Sequence, residues 1–254
     1  MEIDIVRIDS GRKETIKDIV IDEVFLTIHL NGQELLTLLC SPGNLKELSV
    51  GFLYTAGLIH SLDDIDTVFV NKINMTSHIT LKEKDLKGDV MFKRIYTSGC
   101  GKGMLFNNVL GLTNQKTVEG NFHIHSEKIS ELMKDFEKNS TNYKKTGGVH
   151  NAALSDAEKI LVFSEDIGRH NAIDKVIGEA LYRNLPMEEL IILSSGRISS
   201  EVMFKAQKTR TPIIVSRGAP TSLAIKLAEK LNISLVGFAR GKRMNVYTAK
   251  DRIL

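Results

Sequence analysis

The second half of the chain alternates short apolar runs with amphipathic ones, and this alternation limits the fold more than any other feature of the sequence. Apolar segments at 149–154, 160–164, 190–194, 212–216 and 234–238 read as strands, and helical spacing fills 170–183, 199–209 and 220–231. Strands separated by helices of this length are the pattern of a layered α/β sheet. Pro220 reads as the opening of the last helix, where its missing amide proton costs nothing, and Leu223, Leu227 and Leu231 are spaced to line one side. An upstream helix is carried by Ile129, Leu132, Met133 and Phe136, and the polar run 138–142 ends it.

The first hundred residues read differently, as strands around one helix. Val24 to Leu30 and Glu34 to Cys40 flank Asn31-Gly32, a strong two-residue hairpin turn. Ser41-Pro42 then reads as a helix start, with Ser41 as the cap and Leu48, Phe52, Ala56 and Ile59 recurring at helical spacing. Segments at 65–70, 78–81 and 91–96 have strand character. With 254 residues there is room for two domains. The expected division is a smaller α+β unit over 1–115 and a larger layered α/β/α unit over 116–254.

A hydrophobic content of 42% with 26% charged residues is globular composition. The formal charge of +3 is far short of a dedicated nucleic-acid binder and fits a local anionic ligand better. No apolar stretch approaches the roughly 20 residues of a membrane helix, and Met1-Glu2-Ile3-Asp4 lacks the basic start and apolar run of a signal peptide. The expectation is a cytoplasmic protein without a membrane partner. Its two cysteines, Cys40 and Cys100, cannot build a zinc cluster unaided, and in a reducing compartment both stay thiols.

Ser98-Gly99-Cys100-Gly101-Lys102-Gly103 sets a cysteine between glycines with a lysine two positions on. Nearby positive charge and unpaired loop amides lower a thiol pKa from about 8.5, and the thiolate is the nucleophile. No second cysteine stands at C-x-x-C spacing, so a persulfide carrier or a single-cysteine nucleophile remains, against a flexible loop whose cysteine is incidental. Cys40 follows the apolar run 35–39 and is expected to be buried.

Four further stretches could carry chemistry. Glu165-Asp166-Ile167-Gly168-Arg169-His170-Asn171-Ala172-Ile173-Asp174-Lys175 lies between a strand and a helix, and its charges either bind a ligand or pair with each other across the turn. His170 has no second histidine or cysteine at ligand spacing, so no metal site is expected. Ser194-Ser195-Gly196-Arg197-Ile198-Ser199-Ser200-Glu201 suits a phosphate at a helix start, or simple capping by Ser195 or Ser199. Phe238, Ala239, Arg240, Gly241, Lys242 and Arg243 put three cations on one expected loop, suited to a diphosphate or else a solvated turn. Thr146-Gly147-Gly148-Val149-His150 adds a polar strand entrance; the zinc deaminase glutamate and P-C-x-x-C do not follow it.

Taken together, these motifs with Ala219-Pro220-Thr221 and Val236-Gly237-Phe238 resemble the formate dehydrogenase accessory sulfurtransferase family, FdhD/NarQ, from about residue 23 to the C-terminus. The resemblance implies a homodimeric sulfur carrier. Cys100 would accept persulfide sulfur from a cysteine desulfurase and pass it to the molybdenum cofactor, a bis-molybdopterin guanine dinucleotide, destined for formate dehydrogenase. It implies a larger domain similar to the cytidine deaminase fold without its zinc site, and it makes Phe238 to Arg243 the cofactor-binding stretch. Many members carry C-G-x-C-G where this chain has Cys100-Gly101-Lys102-Gly103, so a mechanism needing two loop thiols is in doubt. The rival reading is a chaperone that binds the molybdenum cofactor without moving sulfur covalently; a third is a guanine-nucleotide-binding enzyme.

Overall fold

The computed structural model describes residues 1–83, 117–119 and 122–254. A hairpin opens the chain, with β1 (Glu2–Asp9) antiparallel to β2 (Arg12–Ile19) around Ser10 and Gly11. It was not expected from the sequence. Next come β3 (Val24–Leu30) and β4 (Gln33–Cys40), joined by Asn31 and Gly32, both at positive φ as the two-residue turn requires. After α1 (Leu45–Thr55), β5 (Ile65–Asn71) and β6 (Thr76–Leu81) complete a four-stranded sheet in the order β4-β3-β6-β5. Its inner face, Leu26, Ile28, Leu30, Ile79 and Leu81, packs on Leu48 and Leu53 of α1 and on Ile59 beyond it. Cys40 is fully buried in this core.

Helix α1 begins later than expected. Its N-cap is Asn44 rather than Ser41, because the Ser41 backbone N–H and hydroxyl are engaged by the second half of the chain. Ala56 and Ile59 likewise lie past its end.

The second unit starts with α2 (Ser126–Asn139), which ends within the polar run 138–142 as expected, and the short α3 (Thr141–Thr146), an unexpected helix that begins at the end of that run. The order continues with β7 (His150–Ser155), β8 (Ile160–Asp166), α4 (Arg169–Tyr182), β9 (Ile191–Ser194), α5 (Ser200–Thr209), β10 (Ile213–Ser216), α6 (Ser222–Leu231), β11 (Ser234–Arg240) and β12 (Arg243–Val246). These six strands form one sheet in the order β12-β11-β10-β9-β7-β8, in which β9, β10 and β11 are parallel. Alternate residues face opposite layers. Ile192, Ile214 and Leu235 join α4, α5 and α6, whereas Leu193, Val215 and Val236 join Ile129, Leu132, Met133 and Phe136 of α2. Each such side chain contributes roughly 1.5–3 kcal/mol on burial.

The last helix departs from expectation at its start. Thr221 caps α6 by accepting from Ala224 N–H, Pro220 precedes the cap, and Leu223 is 51% exposed while Leu227 and Leu231 are buried. The expected boundary at 115/116 and the strand at 91–96 lie outside the described residues. Among the described residues no helix is long and apolar enough to cross a membrane.

The two sheets meet through α1 and α4. Gly51 and Gly178 let these helices touch backbone to backbone; a Cβ on Gly51 would overlap Asp174 O and stand 2.9 Å from Gly178 N. Two buried ion pairs flank the crossing. Lys175 lies 2.7 Å from Asp166, which also accepts from Ser41 N–H, and Lys205 lies 2.6 Å from Asp174, which accepts from the Thr55 hydroxyl.

Candidate functional site

Because β9, β10 and β11 are parallel, their carboxyl ends open on one edge of the sheet, the edge where ligands bind in α/β folds. The antiparallel neighbours bring further groups there. His150 opens β7 opposite Asp166 at the end of β8, and Ala152 pairs with Ser194 at the end of β9.

Small residues let three loops converge on this edge. Ser216 Oγ donates to Gly196 O at 2.6 Å and accepts from Gly218 N–H at 2.9 Å. A Cβ on Gly218 would lie 3.0 Å from Arg197 N and Gly196 O, so the β9 and β10 loops approach too closely for a side chain. Phe238 N–H donates to Gly218 O at 3.0 Å, and Phe238 takes φ 52° at the bulge between β11 and β12.

Behind these loops lies a cavity of about 540 Å³ whose walls include Phe136, Tyr143, His150, Ile167, Arg217 and Arg240. The size is that of a small-molecule site, commonly about 300–1,000 Å³. Arg240 Nε donates to Arg217 O at 3.2 Å, and Arg217 Nε lies 3.3 Å from Glu137 Oε1. Both guanidinium groups are thereby held at the rim, suited to an anionic ligand.

Elsewhere in the lining, Ser195 Oγ accepts from Asn151 N–H at 2.9 Å and lies 3.3 Å from His150 Nδ1. Burial pushes the His150 imidazole pKa down, and the positive charges of Arg169 and His170 add to the effect. Beside it, His170 Nε2 is 3.0 Å from Glu201 Oε2, a contact that holds the Glu201 carboxyl below its ordinary range.

A family model described as FdhD/NarQ matches residues 21–254. The chain belongs to that family. It is 40% identical to the sulfur carrier protein FdhD of Bacillus subtilis, over 98% of this chain and 96% of that one. It is 42% identical to the protein of the same name from Listeria monocytogenes serovar 1/2a, over 97% and 96%. A crystal structure from Desulfotalea psychrophila, described as a formate dehydrogenase accessory protein, superposes with a TM-score of 0.82 over 100% of this chain and 99% of that one, at 24% identity. The mixed α/β fold is therefore a family fold, and the family match leaves out only the first 20 residues, the β1–β2 hairpin and Val20.

Within this frame the motif at 165–175 divides in two. Asp166, Asn171, Asp174 and Lys175 are buried and bind one another or residues 39–55, which is the pairing alternative. Glu165 accepts from Asn142 and Tyr143 N–H and so anchors α3 beside the cavity. Arg169 and His170 turn toward the His150 side.

The stretch from Phe238 to Arg243 is a hairpin rather than a loop, running from the end of β11 through Gly241 and Lys242 into β12. Of its six residues Arg240 lines the cavity; Ala239 is 2% exposed, and Arg240, Lys242 and Arg243 are all exposed. Ser199 stands at the N-cap of α5 without a side-chain capping bond, Ser195 serves His150 instead, and Arg197 is exposed. Cys100, the expected sulfur carrier, lies outside the described residues.

Sequence reasoning missed Tyr143 and Arg217 and read Phe136 only as core. A signal for Arg217 existed: Ser216-Arg217-Gly218 closes β10 much as Ser194-Ser195-Gly196 closes β9.

Proposed function

We propose that this chain is a sulfur carrier that takes persulfide sulfur from a cysteine desulfurase on Cys100 and passes it to the molybdenum cofactor required by formate dehydrogenase. What supports the reading most is identity to proteins named sulfur carrier protein FdhD across almost the whole chain. In the first step the Cys100 thiolate attacks the outer sulfur of the donor's E–S–SH. The donor S–S bond breaks, E–S⁻ leaves, and Cys100–S–SH forms with its proton retained on the transferred sulfur. In the second step the Cys100 S–S bond breaks, Cys100 leaves as the thiolate, and the outer sulfur passes with its proton to the cofactor as substrate, whose reduced metal centre would supply the electron pair for the new bond.

The cargo is a bis-molybdopterin guanine dinucleotide, and the cavity is of a size for one nucleotide arm of it. Arg217 and Arg240 at the rim suit its diphosphate, whereas Phe136 and Tyr143 offer apolar surface to a ring. The rest of the cofactor stays outside the cavity. The larger unit serves as a cytidine-deaminase-like scaffold, and the protein works as a cytoplasmic homodimer. Light scattering should give about twice the 28.3 kDa chain mass.

The test is persulfide mapping. After incubation with a cysteine desulfurase and cysteine, mass spectrometry should find one added sulfur on Cys100; sulfur elsewhere with Cys100 unmodified overturns the assignment. A Cys100→Ala variant that still supports formate dehydrogenase activity would favour a cofactor chaperone without covalent transfer.

A further inference from the structure

His150 occupies the cavity wall in one defined chemical form. Ser195 Oγ already accepts from Asn151 N–H at 2.9 Å, so its own proton is free to donate. Among the described residues the acceptor within its reach is His150 Nδ1, at 3.3 Å. An imidazole that accepts at Nδ1 carries its proton on Nε2. Burial, and then the charges of Arg169 and His170, disfavour the protonated ring, against the weaker opposing pull of Asp166. Nε2 is therefore the ring nitrogen left with an N–H to donate, on a residue that lines the cavity.

Sharing one cavity lining with Arg217 and Arg240 separates two recognition tasks. The guanidinium groups at the rim suit phosphate charge, whereas a neutral donor suits an uncharged acceptor on a ring. Guanine shows acceptors at O6 and N7 along one edge. Adenine replaces the first with an amino donor, which meets an N–H unfavourably.

We propose that His150 is a specificity-determining residue, held by Ser195 as the Nε2–H tautomer to donate to the O6 edge of a guanine ring and to reject adenine. The inference rests on the reading above, in which this cavity takes the guanine nucleotide arm of the cargo. Ser195 is a positioning residue in this arrangement, acting through the tautomer it selects. Gly196 belongs to the same arrangement: a Cβ there would lie 3.4 Å from His150 Nδ1 and 3.0 Å from Arg169 Cβ.

The experiment is calorimetric titration of the full chain with GDP, ADP and inorganic diphosphate. GDP should bind about tenfold or more tighter than ADP, the size of one hydrogen bond made against one left unmade. His150→Phe should bring the two nucleotides to about the same affinity while diphosphate binding is unchanged, and His150→Asn, which keeps an N–H donor, should restore part of the preference. A His150→Phe variant that keeps the wild-type ratio overturns the inference, as does a wild-type chain that binds diphosphate but does not distinguish the nucleotides; the cavity reading survives both outcomes. Binding of none of the three probes to the wild-type chain removes both. Nitrogen-15 shifts of the His150 ring in the unmodified chain give a readout independent of any variant's folding: a proton on Nε2 is expected, and a neutral ring protonated on Nδ1 refutes the tautomer assignment.

Discussion

Gly51 of α1 and Gly178 of α4 face each other where the two helices cross, and neither has room for a Cβ: one on Gly178 would overlap Glu47 O and one on Gly51 would overlap Asp174 O. The contact is backbone against backbone, with no flexible side chain to yield. Gly178→Ala must therefore push the helices apart and loosen the neighbouring ion pairs. The expected loss is about 3 kcal/mol or more, the range of severe overpacking, read as a lower denaturation midpoint in urea. A similar Gly→Ala change at Gly241, where no atom lies within 4 Å of the built Cβ, meets only backbone strain at φ 59° and should cost less.

Lys205 and Asp174 form a pair 7% and 2% exposed in their side chains, with Thr55 Oγ1 within hydrogen-bond distance of both. Removing one partner leaves a buried charge alone. Lys205→Met is expected to cost about 3–5 kcal/mol, and the double variant Asp174→Leu with Lys205→Met should recover much of it. Chemical denaturation of the two singles and the double closes the cycle, and additive losses would refute the coupling.

The second-half elements were legible to within a residue or two because period and burial agree: Ile213, Ile214 and Val215 are apolar on both faces, as a covered parallel strand must be. The β1–β2 hairpin was not legible, since the polar–apolar alternation of β1 changes phase between Ile5 and Val6 and no residue of either strand is fully buried. Helix α3 has no buried residue either, and it is anchored by Glu165 from more than 20 positions away. The same kind of distant contact misled the reading of Ser41, whose amide is taken by Asp166. Chemistry-bearing motifs were visible, but their partition into paired and cavity-facing groups was not. Asp166 and Arg169 differ in role through which side of one turn they face, and tertiary packing decides that.

Cys40 is fully buried, and its thiol pKa is pushed up to about 12 by burial, with the Asp166 carboxylate adding to it. It should resist alkylation in the native protein. Iodoacetamide at neutral pH is expected to leave Cys40 unmodified while the chain is folded and to label it in denaturant. Rapid native labelling of Cys40, located by peptide mass spectrometry, would contradict its placement in the core of the first sheet.

Arg240, Lys242 and Arg243 of one hairpin are all exposed, but of the three Arg240 is the one that lines the cavity. The three cations should then contribute unequally to ligand binding. Arg240→Gln is expected to weaken diphosphate binding about tenfold or more, the scale of a charge-assisted hydrogen bond of about 1.5–3 kcal/mol. Lys242→Gln and Arg243→Gln should each change it less than about threefold, since neither lines the cavity and both would act on the ligand only across screening solvent. Equal losses at all three positions, measured by calorimetry at one ionic strength, would point to a diffuse basic patch in place of a defined rim.

His150 also makes a prediction about pH. Its native pKa lies below the ordinary 6.5 because the ring is partly buried and faces the charges of Arg169 and His170, with Asp166 opposing them. Between the depressed native value and 6.5 the unfolded chain binds more protons at this position than the folded one, so stability rises with pH there. The contribution is complete above 6.5 and is lost progressively as the pH falls below it, until the native value has also been passed. Replacing the imidazole by an amide in His150→Asn removes this titration. The variant should therefore show a flatter stability profile than the wild-type chain across the mildly acidic range, with the two curves parallel at higher pH. Urea midpoints taken at half-unit intervals from about pH 5 to 8 decide the matter, and a variant whose profile stays as steep as the parent's would mean that another group carries the proton.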